Sequence, residues 1–273
     1  MFNFIFWQIT QTIFPEERVV KFIGGAKMLV KKNDTGVTGN IYVGVQDFEE
    51  ISFALHILRE GDIFIDIGAN VGFYSVIMSK IKRARVFAFE PIPSTFQKFK
   101  KNIELNSLQK LIFPYNMAIG ASFGSLNMTS NLDTVNHVQF SSGYMGENIS
   151  VDVAPLDSFL SEFPLSTSII KIDVEGFETE VIKGMPKILA SPQLKAIIIE
   201  LNGSGGRYGF DELLIHQKLI EYSFSPYKYD PFRRQLVQLN SYGENNTIYL
   251  RDLEFVFDRI KSSEPFRVFD ENI

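Results

Sequence analysis

The stretch Asp66-Ile67-Gly68-Ala69-Asn70-Val71-Gly72 lies between an apolar run at 63–65 and a helical pattern at 71–81. A glycine-rich turn that joins a buried strand to a helix is typical of doubly wound α/β domains, whose ligands bind beyond the carboxyl ends of the strands. This turn therefore decides the expected fold and gives the first candidate site.

Strands and helices alternate along the chain on the C-terminal side of the turn. Continuous apolar strands bounded by helices indicate a sheet that is mainly parallel and buried on both faces. We expect a doubly wound, Rossmann-like α/β sheet with helices on both faces, preceded by an N-terminal extension. The predicted strands are 63–65, 86–89, 111–118, 169–172, 196–199 and 246–250, and the predicted helices are 48–58, 71–81, 94–105, 177–189 and 211–221.

The chain divides into three predicted parts. Residues 1–47 form the extension, with a helix and short strands near 27–30 and 41–45; residues 48–251 form the main domain, and residues 252–273 a C-terminal tail. Within the main domain, residues 119–150 are polar and rich in Gly, Ser and Asn, which indicates a hairpin or a mobile loop.

The extension begins with an apolar helical stripe. Packing on the chain's own core or on a second subunit would bury this stripe, so a homo-oligomer is possible. Residues 1–14 carry no Lys or Arg, so membrane contact through them is the less favoured alternative. The stripe consists of Phe2, Ile5, Phe6, Ile9 and Ile13.

Composition limits the classes of function. The chain has no Cys, which excludes disulfides, thiolate metal sites and cysteine nucleophiles. Its formal net charge of −5 argues against a nucleic-acid partner held through phosphates. No apolar run approaches the length of a transmembrane helix, and no positively charged start precedes the first apolar residues. We therefore expect a cytoplasmic location.

The spacing of the glycines points to one class of ligand. A dinucleotide site would show G-x-G-x-x-G, whereas Gly68 and Gly72 are spaced G-x-x-x-G and Asp66 stands two residues before the first. S-Adenosylmethionine has an ammonium that suits Asp66 and a carboxylate that suits backbone N–H groups around Gly68 and Asn70. The turn therefore predicts a site for this cofactor; a strand–helix turn without a ligand is the alternative.

Two further residues extend the predicted cofactor site. Glu90 ends the second strand, 24 residues after Asp66, where an acid accepts hydrogen bonds from ribose hydroxyls; a charge at a helix N-terminus is the alternative. Asn116 ends the third strand, where an amide reads the adenine edge, although a turn-forming Asn is a close alternative.

Acidic residues also follow the fourth strand. Asp173 and Glu175 are candidates for the base that takes a proton from the acceptor, and capping of the next helix is their alternative role. His137, in the polar loop, is a further candidate base. Asp173, Glu200 and Asn202 could together hold a divalent cation, but a site without a metal is the preferred interpretation.

These motifs together resemble the FkbM-like family of S-adenosylmethionine-dependent methyltransferases. The resemblance spans roughly residues 27–202 and is most specific in the block 171–178. It implies O-methylation of a hydroxyl on a sugar, glycan or related small-molecule acceptor, and it alone suggests that Glu49 approaches the cofactor. The matching stretches are 38–42, 48–49, 61–62, 66–72, 89–91, 156–157 and 171–178.

Other classes of protein stay open at this point. An RNA methyltransferase is disfavoured by the acidic balance and by the absence of an Asn/Asp-Pro-Pro-Tyr motif. A dinucleotide-binding oxidoreductase is disfavoured by the glycine spacing, and a binding module without catalysis by the intact acids Asp66, Glu90 and Asp173.

Overall fold

The structure is a computed structural model, and it describes residues 17–30, 47–129, 137–138, 148–163, 166–268 and 271–273. The helix predicted within 1–16 and the strand predicted at 41–45 lie outside these ranges, so both stay predictions.

The described strands form one large sheet and three small ones. In chain order they are β1 (Arg18–Lys21), β2 (Lys27–Val30), β3 (Ile63–Ile67), β4 (Arg85–Phe89), β5 (Ile112–Tyr115), β6 (Ala118–Ile119), β7 (Gly124–Thr129), β8 (Asn148–Ala154), β9 (Ser168–Ile172), β10 (Leu194–Glu200), β11 (Ser225–Asp230), β12 (Gln235–Gln238), β13 (Asn246–Leu250), β14 (Arg267–Val268) and β15 (Glu271–Asn272). The described helices are α1 (Phe48–Ile57), α2 (Phe73–Lys82), α3 (Pro93–Leu105), α4 (Glu178–Lys183), α5 (Pro186–Ala190), α6 (Glu212–Glu221) and α7 (Leu253–Lys261).

The large sheet has the order β12-β11-β13-β10-β9-β3-β4-β5. Strands β5, β4, β3, β9 and β10 pair in parallel, and β13 pairs antiparallel with both β10 and β11. The chain order reverses beside β3, so the turns after β3 and β9 lie next to each other at the carboxyl edge. This is the doubly wound, mainly parallel sheet that the sequence predicts, with its ligand edge where the motifs lie.

The core lies on both faces of the sheet because successive strand residues point to opposite sides. Phe64 of β3 packs in one buried cluster with side chains of α1, α2, α3 and α7. Its neighbour Ile65 packs in the other with side chains of α4, α5 and α6. Helices therefore cover both faces, as predicted.

Two predicted elements are divided in the structure. The strand predicted at 111–118 ends at Tyr115, and the chain enters a separate small sheet of order β6-β8-β7 at Ala118. The helix predicted at 177–189 breaks between α4 and α5. A Cβ on Gly184 would lie 2.0 Å from the Gly120 carbonyl oxygen, and Pro186 starts the next helix without an N–H to donate. The hairpin predicted within 119–150 is confirmed, since β7 pairs antiparallel with β8.

The C-terminal residues contribute to the core. Residues 253–261, which the sequence placed only in a tail, form α7, and Arg259 Nη1 donates to Asp62 Oδ2 at 2.8 Å. The side chain of Ile273 is buried in the same cluster as α1. None of the helices in the described ranges combines the length and apolar character that a bilayer crossing requires.

Asn102 of α3 and Asn106, which directly follows α3, tie the N-terminal hairpin formed by β1 and β2 to the main domain. Asn102 Oδ1 accepts from the Leu29 N–H at 2.8 Å, and its Nδ2 donates to the Val71 carbonyl at 2.9 Å. Asn106 Oδ1 accepts from the N–H of Lys27, and its Nδ2 donates to the carbonyl of the same residue. The hairpin is therefore joined through side chains to the glycine turn itself.

Replacing Asn102 should destabilise the fold. Asn102→Ala removes the side-chain partners of two backbone groups, the Leu29 N–H and the Val71 carbonyl, so we expect a loss of at least about 2 kcal/mol in the free energy of unfolding. Urea denaturation measures this loss. Lys100→Ala, an exposed change on the same helix, is the control. Equal transition midpoints for the two variants would show that Asn102 does not stabilise the fold by joining β2 to the glycine turn.

Candidate active site

The glycine turn is held by backbone packing. Gly68, Asn70 and Gly72 have φ values of 82°, 51° and 86°, which favour glycine. A Cβ on Gly68 would lie 1.8 Å from the Asp173 carbonyl oxygen, and one on Gly72 would lie 2.1 Å from the Phe99 ring. Both glycines are therefore required by the close approach of neighbouring elements.

The N–H groups of this turn already have partners. Gly68 and Ala69 both donate to the Phe89 carbonyl at 3.0 Å, and Asn70 donates to Glu90 Oε2 at 2.9 Å. These bonds join the turn after β3 to the end of β4. The predicted contact of the cofactor carboxylate with the N–H groups around Gly68 and Asn70 stays a prediction.

Glu90 is the buried acid at the end of β4. Its side chain accepts from the N–H groups of Asn70 and Ile92, each at 2.9 Å. Burial raises its pKa to about 7, although both hydrogen bonds act in the opposite direction. Asn116 Nδ2 donates to the carbonyls of Glu90 and Pro91 at 2.9 and 3.0 Å. Asn116 therefore braces the turn that carries Glu90, and its contact with adenine stays a prediction.

Asp66 lies within the core below the glycine turn. Its residue is 1% exposed, and Oδ2 accepts from Ser75 Oγ at 2.6 Å. Burial raises its pKa, and the positive charge of Lys171 opposes that rise. Asp66 is therefore hydrogen-bonded to α2 through Ser75 and interacts electrostatically with Lys171.

Lys171 is the buried cation of the site. Its Nζ lies 2.7 Å from Asp173 Oδ2 and 4.8 Å from the centroid of the Tyr74 ring. Burial alone would lower its pKa, but the carboxyl groups of Asp173, Asp66 and Asp47 outweigh burial and raise it. The sequence block 171–178 contains this lysine, yet sequence reasoning gave it no role. A charged residue inside the run Ile169-Ile170-Lys171-Ile172 was the available signal.

Asp47 brings the start of α1 into the same group of charges. Its Oδ2 accepts from the Tyr74 hydroxyl at 3.1 Å, and its Oδ1 accepts from Asn246 Nδ2 at 3.2 Å. Burial raises the pKa of Asp47. Glu49, the residue that the family resemblance suggests, is exposed in the first turn of α1. Its approach to the cofactor stays a prediction, and Asp47 is the neighbour that sequence reasoning missed.

Three carboxyl groups converge at the ends of β9 and β10. One oxygen each from Asp173, Glu175 and Glu200 lies within 4.8 Å of the others. Burial and then the charge of Asp173 raise the pKa of Glu175 to about 7, and the same causes, with Glu175 added, raise that of Glu200 to about 8. Oxygens at this spacing could hold a divalent cation, and carboxyl clusters are also common without one. Asn202, which the sequence grouped with them, instead accepts at Oδ1 from the Ser204 N–H at 2.9 Å.

Glu178, rather than Asp173 or Glu175, satisfies the backbone before α4. Its Oε1 accepts from the N–H groups of Val174 and Gly176 at 3.1 and 3.2 Å. Glu178 therefore has the capping role that was the alternative for Asp173 and Glu175, and the sequence had not singled it out. Asp173 instead pairs with Lys171, and Glu175 lies with Glu200 in the cluster.

His137 lies on the small sheet of β6, β7 and β8. Its N–H donates to Thr129 Oγ1 at 3.0 Å, and Val138 packs in a cluster that includes Phe177. The side chain of Val138 thereby packs against the segment after β9. A role of the His137 imidazole as a base stays a prediction.

Comparison with known proteins finds similar methyltransferases. A family model described as the methyltransferase FkbM domain matches residues 66–230. Hexuronic acid methyltransferase AglP of Haloferax volcanii is 31% identical over 179 residues, which cover 64% of this chain and 70% of that protein. Methyltransferase 1 of Beauveria bassiana is 26% identical over 180 residues, 58% of this chain and 72% of that protein. A solved structure of precorrin-6y C5,15-methyltransferase from Geobacter metallireducens is 13% identical, covering 76% of this chain and 89% of that one, with a TM-score of 0.42.

The raised pKa values predict how stability depends on pH. A carboxyl whose pKa is higher in the folded state stabilises the fold below its ordinary pKa, and that contribution is lost as the pH rises through the folded value. With folded values of about 7 for Glu90 and Glu175 and about 8 for Glu200, the melting temperature of the cofactor-free protein should fall between pH 5 and about 8.5.

Glu200→Gln should flatten the upper part of this decline, because the glutamine has no proton to lose. Scanning fluorimetry across the pH series measures the effect, and Glu254→Gln, an exposed change on α7, is the control. Parallel curves for wild type and Glu200→Gln would show that Glu200 does not contribute.

Proposed function

Because the chain belongs to the FkbM methyltransferase domain family, we propose that it is an S-adenosylmethionine-dependent O-methyltransferase that acts on a hydroxyl of a sugar, glycan or related acceptor. One observation carries the proposal. The glycine turn and Glu90 lie at the ends of β3 and β4, beside the carboxyl cluster at the ends of β9 and β10. A cofactor site and a candidate base therefore share one edge of the sheet.

The residues of this edge fit a donor with positive charge. S-Adenosylmethionine, the methyl donor, supplies an electrophilic methyl group on a cationic sulfur. Glu90 would hold the ribose hydroxyls, since each oxygen of a carboxylate can accept more than the single N–H bond seen here. Asp66, below the turn, would favour the ammonium through its charge. Gly68, Asn70 and Gly72 would shape the turn against which the cofactor rests.

Asp173 is the residue that we place at the acceptor. It follows β9 directly, its side chain is 35% exposed, and its Oδ2 is held by Lys171. A hydroxyl that attacks a methyl group loses its proton, and a positioned carboxylate can accept it, which typically contributes about 10²–10⁴-fold in rate. One oxygen each of Glu175 and Glu200 lies within 4.8 Å of an Asp173 oxygen, a separation that one water molecule could bridge to relay the proton. Alignment of the acceptor oxygen supplies most of the remaining acceleration.

The acceptor class is supported by a relative. AglP is named a hexuronic acid methyltransferase, so a sugar acceptor is the first to test. Three aromatic rings pack against one another, with centroids 5.7–6.4 Å apart. They belong to Phe177, in the segment after β9, and to Tyr208 and Phe210, in the segment after β10. Aromatic rings beside a carboxyl cluster are a suitable surface for the apolar face of a sugar ring.

Variants of Glu90 and Asp173 should separate cofactor binding from chemistry. Glu90→Gln removes a charge-assisted contact worth about 1.5–3 kcal/mol, so the Kd for S-adenosylhomocysteine should rise by roughly 10–100-fold. Asp173→Asn should leave this Kd nearly unchanged and lower kcat by about 10²-fold. Calorimetry and initial rates measure the two effects, with the exposed Glu104→Gln as the control. Unchanged cofactor affinity in Glu90→Gln, or equal losses of affinity and kcat in Asp173→Asn, would overturn the assigned roles.

Transfer of label from S-adenosylmethionine to matched acidic and neutral sugars tests the reaction. We expect labelled product on a sugar, stable to mild alkali as a methyl ether is, and unaffected by EDTA. An alkali-labile product would place the methyl group on a carboxylate instead of a hydroxyl. Label in RNA but in no sugar would favour the alternative acceptor class. Activity lost with EDTA and restored by Mg²⁺ would assign Asp173, Glu175 and Glu200 to a metal.

A further inference from the structure

Lys171 is a charged side chain inside the central sheet. It lies in β9 between β3 and β10, and its side chain is only 5% exposed. Burying an ammonium group costs free energy of folding unless a carboxylate pairs with it. Removing one member of a buried pair destabilises the fold strongly, because the other charge is left buried without a partner. The position therefore demands opposite charge around the Nζ atom.

Carboxyl groups from three segments meet that demand. Asp173 Oδ2 lies 2.7 Å from Nζ, and Asp66 and Asp47 lie within electrostatic reach. The last two are also bound elsewhere, Asp66 by Ser75 Oγ and Asp47 by the Tyr74 hydroxyl. Lys171 is thus the cation that strand β3, the turn after β9 and the start of α1 have in common.

Asp173 depends on Lys171 more than the other two aspartates do. Among the hydrogen bonds of the described residues, the bond from Lys171 is the one that fixes the Asp173 carboxyl. The Tyr74 ring, 4.8 Å from Nζ, limits where the ammonium can move. A hydrogen bond to one carboxylate oxygen restricts rotation of the carboxylate group and thereby restricts where its other oxygen can lie.

We propose that Lys171 is a positioning residue that holds Asp173 Oδ2 so that Oδ1 is presented to the acceptor hydroxyl. This inference rests on the proposed function, in which Asp173 takes the acceptor's proton. Lys171 itself touches neither the acceptor nor the cofactor; its effect on turnover passes through Asp173.

A double-mutant cycle tests this dependence. We expect Asp173→Asn to lower kcat by about 10²-fold and Lys171→Met to lower it by up to about 10²-fold through misplacement of the carboxylate. The double variant should have the kcat of Asp173→Asn alone, because Lys171 has no carboxylate left to position. Independent effects would instead multiply to within about 2-fold. The Kd for S-adenosylhomocysteine, measured on the same samples, should change little in Lys171→Met.

Lys195 offers a matched control. Its ammonium pairs with Asp252 and lies 4.9 Å from the centroid of the Phe255 ring, so it repeats the lysine–aspartate–aromatic arrangement away from the site. Lys195→Met should lower the melting temperature without changing kcat. Should Lys171→Met fail to fold, Lys171→Gln, which keeps a hydrogen-bond donor without the charge, replaces it in both the single and the double variant.

The outcomes separate the two proposals. Three outcomes would overturn the positioning role of Lys171 and leave the role of Asp173 as base intact. They are a wild-type kcat in the Lys171 variant, losses that multiply in the double variant, and a loss of cofactor affinity larger than the loss of kcat. Wild-type kcat in Asp173→Asn would overturn the role of Asp173 in the proposed function, and the inference with it.

Discussion

The close approach of two backbone turns is the constraint on which this site depends. The carbonyl of Asp173 lies where a side chain of residue 68 would begin, and the Asp173 N–H donates to the Ile67 carbonyl at 3.0 Å. The pairing of β3 with β9 therefore continues one residue beyond the end of β9. Because of it, the glycine turn and the turn that carries Asp173 are held at a fixed separation by backbone atoms. Side chains at residue 68 other than hydrogen would push the two apart.

Charge is the second organising feature of the site. Carboxyl groups outnumber cations at this edge of the sheet, and burial raises the pKa of most of them. Such an arrangement costs stability in the cofactor-free protein, and a cationic donor reduces that cost on binding. Strain that is relieved by the ligand is a common property of functional sites. Under the proposed function, the acidic surplus would favour the charged methyl donor over neutral nucleosides.

The sequence predicted the parts of the molecule that rest on local pattern. Apolar runs and the glycine, proline and polar residues that bound them predict four of these parts. They are the strand at 63–65, the glycine turn, the helix after it, and Glu90 at the end of the next strand. The sequence did not reveal which acids surround Lys171, because Asp66 and Asp173 come together through sheet order and Asp47 through the packing of α1. The break after Gly184 was missed although Pro186 is a local signal for it; the sequence could not show that Gly184 also contacts the Gly120 carbonyl, far away in the chain.

The position of β13 has a consequence for how this domain can be divided. The family model matches residues 66–230, yet β13, at 246–250, lies between β10 and β11 in the large sheet. A fragment with the matched boundaries would leave β11 without both of its neighbours, β12 and β13. It would also leave the face of α3 without β2, whose Met28 and Val30 are buried there. The stretch that identifies the family is therefore shorter than the stretch that folds, and excision or transplantation of the catalytic unit has to follow strand neighbours instead of sequence similarity.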